Sequence, residues 1–181
     1  MAEDINNDER IRRAMAGDKA AFAVIVRETQ SLVFSLGYHF LRDAALAEEI
    51  AQDVFLKLYR DLGSIQSASH LLAWLRRSTL NRCIDQSRSR AYRNETPLDE
   101  LIEPPYISST PDPIASKLLR RQVAALSETH RAVVLLRYQE GLEPSEIADL
   151  LGLPLNTVKS RLRRALQILR MRLERKRRQT A

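Results

Sequence analysis

The sequence predicts an all-α protein built of two small helical domains, and three observations carry that expectation. The chain has only five glycines in 181 residues, aromatics make up just 6%, and its 44% apolar content recurs at three- and four-residue steps. Residues 94–116 interrupt this pattern with five of the seven prolines and no lysine or arginine. Helix cannot run through so many ring-locked residues, and five acidic groups without a basic one repel each other and extend the segment. The expected organisation is therefore an N-terminal helical domain over 1–93, an acidic linker over 94–116, and a C-terminal helix-turn-helix domain over 117–181.

After a polar leader, Phe22, Ile25, Val26, Thr29, Val33, Leu36 and Phe40 define a first helix that closes near Arg42 and Asp43. The next helix, about Ala45 to Leu62, is the most regular: Leu46, Ile50, Val54, Leu58 and Leu62 step by four, with Ala47, Ala51, Phe55 and Tyr59 alongside. Its opposite face gathers Glu49, Gln52, Asp53 and Leu56, an acidic and amide surface around one aliphatic side chain that the stripe does not bury. A protein-binding face has that character, and so does a solvated face with a stray leucine.

Gly63 to Ser69 is small and polar and reads as a loop before a helix from Leu71 to about Arg90. Leu72, Leu75, Thr79 and Cys83 share one side of that helix, while Trp74, Arg77, Asn81 and Arg88 share another. An indole stacks on a base, an amide bonds a base edge and arginines hold phosphates, so the second side suits a partly unstacked strand. A tryptophan at such a place also serves simply as core.

Past the linker, a helix over Ile114 to Leu126 presents Leu118, Leu119, Val123 and Leu126, and Ser127 is placed to cap its successor, which ends at Gly141. Glu143 to Arg170 then reads as two helices about a tight turn. Pro144 sits where a missing N–H costs nothing, Ile147, Ala148, Leu150 and Leu151 make an apolar stripe, and Gly152 ends it. Pro154 blocks continuation and Asn156 is placed to cap a second helix whose Val158, Leu162, Ala165, Leu166 and Leu169 face inward. Lys159, Arg161, Arg163 and Arg164, with Ser160 among them, project the other way, as groups that read phosphates and bases do. The last residues, Arg172 to Arg178, are dense in Arg and Lys, placed to follow phosphate or to fray in solvent.

Charge is segregated accordingly. Residues 1–93 carry 14 basic and 12 acidic groups, 94–116 carry 0 and 5, and 117–181 carry 15 and 6, within a net +6. A polyanion site leaning C-terminal is the expectation. A single cysteine makes no intramolecular disulfide, and His39, His70 and His130 have no metal-ligand spacing with Cys83. No phosphate-cradling GxxxxGK and no HExxH occurs, so no catalytic residue, metal or cofactor is expected. The longest uncharged run near the N-terminus, Thr29 to Leu41, is 13 residues, short for a membrane span, and the acidic start is unlike a signal peptide; a cytoplasmic protein without membrane contact of its own or a small-molecule substrate is expected.

Three segments in this order carry a resemblance: EEIAQDVFLKLYR (48–60), AWLRRSTLNRCIDQSR (73–88) and ALSETHRAVVLLRYQEGLEPSEIADLLGLPLNTVKSRLRRA (125–165). They are similar to the core-polymerase helix, the minus-ten helix and the minus-thirty-five domain of bacterial sigma factors of the extracytoplasmic-function class. The resemblance spans about Gly17 to Leu173 and implies a factor that binds core RNA polymerase and directs it to promoter DNA, with an anti-sigma factor as a further partner. By match, Glu49, Gln52, Asp53 and Leu56 would meet the polymerase clamp. Trp74, Arg77, Asn81 and Arg88, with the Gly63 to Ser69 loop, would handle the minus-ten strand, Asn81 and the loop reading a flipped base. Asn156, Thr157, Lys159, Ser160, Arg161, Arg163 and Arg164 would contact the minus-thirty-five element, and the acidic linker would lie where RNA later runs. Asn156 stands where the family often has Gly, and Arg163 where an apolar residue also occurs. With Trp74 as the single aromatic for melting, weak melting and a stringent promoter are expected. The alternative is a dimeric operator-binding regulator, but the 45–90 region shows neither a sensor signature nor an apolar dimerising face.

Overall fold

The computed structural model describes residues 2–92 and 117–180, and within them the chain is helical without a strand. The helices are α1 (Ala2–Met15), α2 (Lys19–Leu41), α3 (Ala44–Asp61), α4 (Ala68–Tyr92), α5 (Lys117–Ala124), α6 (Glu128–Tyr138), α7 (Pro144–Leu151) and α8 (Leu155–Thr180). The proline-rich stretch of the expected linker lies outside the described residues. Two helical units result, α1–α4 and α5–α8.

The central element is α2. Toward its end Val33, Phe34, Leu36, Tyr38, Phe40 and Leu41 are all buried, an apolar girdle too wide for one neighbour. It packs on α1, α3 and α4 within its own unit and on α5 and α6 of the other. A continuous hydrophobic cluster therefore runs from Ile11 through Leu36, Leu58 and Leu75 to Val133, Ile147, Val158 and Leu169. At its start, Asp18 accepts the N–H groups of Ala20 and Ala21 at 2.9 and 3.0 Å. The Ala21 N–H, followed by Arg13, holds the Asp18 carboxyl below its ordinary range. At its end Arg42 takes the left-handed conformation with φ of 60°, donates its N–H to the Tyr38 carbonyl and lays its guanidinium over the Tyr38 ring.

Several elements differ from expectation. The polar leader is helix α1, anchored by buried Ile11 and Ala14 and by the Arg10–Glu28 ion pair to α2. The expected Gly63–Ser69 loop is shorter: Leu62–Ser64 form a 3-10 turn and α4 already begins at Ala68, whose N–H goes to Asp8 of α1 at 2.8 Å. Ser67 Oγ accepts the His70 N–H, so the N-terminus of α4 is held by two side chains. Ser127 does occupy the N-cap of α6, but its hydroxyl bonds His130 Nδ1 rather than a backbone amide.

Candidate protein and nucleic-acid interfaces

The face of α3 is positioned by Asp43, which accepts the Leu46 N–H at its N-cap, and by Ala47, Ile50, Val54 and Leu58 in the core. Of the four residues singled out on it, Glu49 and Gln52 are exposed and Leu56 is 57% exposed, an aliphatic side chain left in water. Asp53 is not free: its carboxylate pairs with Arg82 of α4. Beside Gln52 and Leu56 opens a groove of about 810 Å³ between α2 and α3, walled by Phe22, Val26, Phe34, Phe55 and Tyr59. Sequence reading placed Phe55 and Tyr59 alongside the buried stripe, but Phe55 is only partly buried and Tyr59 is 53% exposed, its ring edge-on to Phe22 at 5.1 Å. The usable signal was Tyr59 three residues after Leu56, which puts two large apolar groups on one edge of the helix.

On α4, Leu71, Leu75, Ser78, Thr79, Leu80 and Cys83 turn inward and Thr79 Oγ bonds the Leu75 carbonyl at 2.8 Å. Leu71 takes the buried place expected of Leu72, which is only half-buried. Burial pushes the Cys83 thiol up to about 12, an inert core group. Trp74 is half-buried at the rim of the core with the Lys57 ammonium 5.8 Å from its ring centre, so only part of the indole is open to stack. Arg77 and Asn81 are exposed one turn apart, while Arg88, also exposed, gives its Nε–H to Glu128 of α6 at 3.1 Å.

The helix-turn-helix forms as its punctuation requires. Pro144 is at the start of α7, and the Glu143 N–H donates to the Glu146 carboxylate at 2.7 Å. Gly152, at φ of 64°, donates to the Asp149 carbonyl, and Leu153 to that of Ala148. The Thr157 and Val158 N–H groups go to the Pro154 carbonyl, so Pro154 stands at the helix entry and Asn156 is an exposed residue of the first turn instead of the cap. Val158, Leu162, Ala165 and Leu169 are buried as expected, while Leu166 is exposed. On the outer side Lys159, Arg163 and Arg164 are exposed, Thr157 and Arg161 half-buried, and Ser160 Oγ bonds the Thr157 carbonyl at 2.9 Å. This is a cationic helix face with its register fixed from behind, able to hold phosphates and reach base edges. Among the described residues no group of three His, Cys, Asp or Glu is placed to hold a metal, and no helix is long and apolar enough to cross a membrane.

Comparison with known proteins assigns both units. Residues 25–93 match the family model "Sigma-70 region 2" and residues 116–169 match "Sigma-70, region 4". The ECF RNA polymerase sigma factor SigK of Mycobacterium tuberculosis is 32% identical over 176 residues, covering 90% of this chain and 91% of that one. The chain belongs to the ECF RNA polymerase sigma factor family. The RNA polymerase sigma-H factor of Pseudomonas aeruginosa is 30% identical over 172 residues, with 88% and 89% covered. Two solved structures share the fold of this sigma factor. One is the sigma factor RpoE in complex with the anti-sigma factor NepR from Bartonella quintana, at a TM-score of 0.68, 22% identity and coverage of 84% and 96%. The other is CnrH in complex with the cytosolic domain of CnrY, at 0.67, 20%, and 93% and 97%. The sigma factor thus directs promoter-specific initiation by core RNA polymerase, its region 4 containing the helix-turn-helix.

Proposed function

We propose a division of labour among its residues. Leu56 and Gln52, with Glu49 and Asp53 at the flank, form the core-polymerase contact; Trp74, Arg77, Asn81 and Arg88 handle the minus-ten strand; and Asn156, Thr157, Lys159, Ser160, Arg161, Arg163 and Arg164 bind the minus-thirty-five element. The domains run over 1–93 and 117–181 with 94–116 as linker. An anti-sigma factor is a further partner, supported by the complexes of the RpoE and CnrH neighbours. The protein acts in the cytoplasm and performs no catalysis of its own.

The observation that carries the first assignment is an exposed leucine beside an apolar groove on the helix matched to region 2. A large apolar group kept in water at the edge of a concave surface is an anchor awaiting a partner. For the DNA contacts, support comes from their separation: one face lies on α4 near the rim of the first unit, the other on the outer side of α8.

Transcription by core polymerase reconstituted with this protein tests the scheme, using closed and pre-melted templates. Asn81→Ala is expected to spare the pre-melted template's minus-thirty-five dependence and to change base preference at one minus-ten position. A mutant indistinguishable from wild type with each base tried would move minus-ten reading into the 63–67 turn.

A further inference from the structure

Helix α1 lies ahead of the residues matched to region 2 and reaches across to the start of α4. Part of that start is tied by its own neighbours: Ser67 Oγ accepts the His70 N–H at 3.1 Å, and His70 Nδ1 accepts the Gln66 N–H at 3.2 Å. The Ala68 N–H is met from elsewhere. It goes to Asp8 Oδ1 at 2.8 Å, a carboxylate 60 residues away in sequence that also sits at the positive end of the helix dipole. Asp8 is held in place because α1 is anchored by buried Ile11 and Ala14 and by the pairing of Arg10 with Glu28. Under the joint a void of about 60 Å³ remains, lined by Ile11, Ile25, Thr29, Ala68 and Leu71 among others. Apolar packing there is incomplete, which leaves the Asp8 bond to set how α1 meets α4. The turn before α4 is seated by buried Leu62 and Ile65, with Gly63, Ser64 and Gln66 facing outward. Ser64 gives its hydroxyl to the Asp61 carbonyl at 2.7 Å, so Gln66 is the outward side chain with an amide to offer.

We propose that Asp8 is a positioning residue for minus-ten recognition: it fixes the junction of the 62–67 turn with α4, and thereby the place at which Gln66 presents its amide to a flipped base. Asp8 itself touches no DNA. An amide discriminates through paired hydrogen bonds to a base edge, and a group with that task has to be held within about 0.5 Å. The Gln66 N–H is tied to His70 in the same helical turn that Asp8 fastens, so a shift at the head of α4 passes directly to Gln66. Asn81 is insulated from that shift. It lies about 20 Å further along α4 than Ala68, on a stretch seated by buried Leu75, Leu80 and Cys83. Loss of the Asp8 carboxylate therefore blurs the position read by the turn and leaves the one read by Asn81 sharp. The proposal rests on the assignment of minus-ten reading to α4 and the turn that precedes it.

Transcription by core polymerase reconstituted with the full chain tests it, on templates carrying each base in turn at every minus-ten position. Gln66→Ala and Asn81→Ala first locate the positions that the turn and α4 read. Asp8→Ala is then expected to lose about tenfold in discrimination at the Gln66 position, to keep wild-type preference at the Asn81 position, and to copurify with core polymerase as wild type does. Asp8→Asn keeps an acceptor oxygen and is expected to retain most of the discrimination. Val33→Ala thins the core of α2 and leaves the Asp8–Ala68 bond in place; it is expected to lower Tm without altering preference at either position, which separates positioning from stability. An Asp8→Ala protein with wild-type discrimination, or one that loses preference at both positions as Val33→Ala also does, overturns the positioning role. If Gln66→Ala alters preference at no position, the proposal falls with the reading by the turn; if Gln66→Ala acts and Asp8→Ala does not, the positioning role alone is overturned.

Discussion

Replacing Arg131 with methionine is expected to be the most damaging single change to a polar residue at the junction of the two units. Its guanidinium donates to the carbonyls of Phe40 at 2.7 Å, Leu126 at 3.0 Å and Ala124, and lies 4.8 Å from the centre of the Phe40 ring. Burial pushes its pKa down, opposed by Glu128, so the charge resides in a site where removal from water already costs something. Methionine keeps most of the apolar stem and deletes only the fork. Three partly buried carbonyls then lose a donor at about 1 kcal/mol each. Loss of the ring contact adds roughly 0.5 kcal/mol and relief of guanidinium desolvation takes back a similar amount. The net is a loss of about 3 kcal/mol, which for a chain of this size is about 6–12 °C in Tm. Urea unfolding followed by circular dichroism measures it, and Arg131→Lys, a point charge that cannot span three acceptors, is expected to recover less than half. A loss below about 1 kcal/mol for the methionine variant would refute the reasoning, since it would mean that the carbonyls find water as readily as they found the fork.

Four further outcomes follow from the surfaces. Leu56→Arg is expected to abolish copurification with core polymerase while Tm moves by less than about 2 °C, because the side chain is 57% exposed; it is a cleaner probe than Asp53→Arg, which also breaks the pair with Arg82. Arg164→Ala is expected either to weaken duplex binding uniformly with a shallower salt dependence, or to relax one base position by ~1–3 kcal/mol, as measured by titration at several salt concentrations. Leu162→Ala, in the buried seam of α8, is expected to cost about 2–4 kcal/mol in thermal or urea unfolding. Cys83 is expected to resist iodoacetamide at pH 8 until the chain unfolds; with its pKa raised from 9.0 to about 12, its contribution to stability is intact below pH 9 and falls as pH rises through that window, which urea titrations at pH 8 and 10.5 compare.

Local chemistry made much of the fold legible. The four-residue steps of α3 and the glycine and proline punctuation of α7 and α8 are short-range signals, and the helices lie where those signals put them. What escaped was set by partners distant in sequence. The leader looked solvated because polar and charged residues surround its buried anchors Ile11 and Ala14, and its helix is fastened by α2 through Glu28 and by α4 through the Ala68 N–H. Asn156 looked like a cap since its side chain suits one, yet Pro154 supplied the entry carbonyl two residues earlier. Of the surface on α3, the exposure of Leu56 was readable, whereas the pairing of Asp53 with Arg82 required knowing how α4 crosses α3. The engagement of Arg76 and Arg88 by Glu140 and Glu128 likewise spans the chain and has no local trace.

The length of α8 carries a consequence for accuracy of aim. The turns proposed to read DNA occupy the first part of a 26-residue rod, while Leu169 is seated in the core and Arg172 reaches back toward the Gln122 carbonyl much further along. At 1.5 Å per residue the distance from Lys159 to Leu169 is about 15 Å. Over that lever a tilt of only about 2° displaces the reading end by about 0.5 Å, the tolerance within which a recognition group has to be held. Angular play at the seat of the rod thus becomes positional error at the bases. A slightly loosened side chain at Leu169 would blur discrimination between sequences before it measurably weakened attraction to DNA, since phosphate attraction tolerates a shift that a bidentate base contact does not.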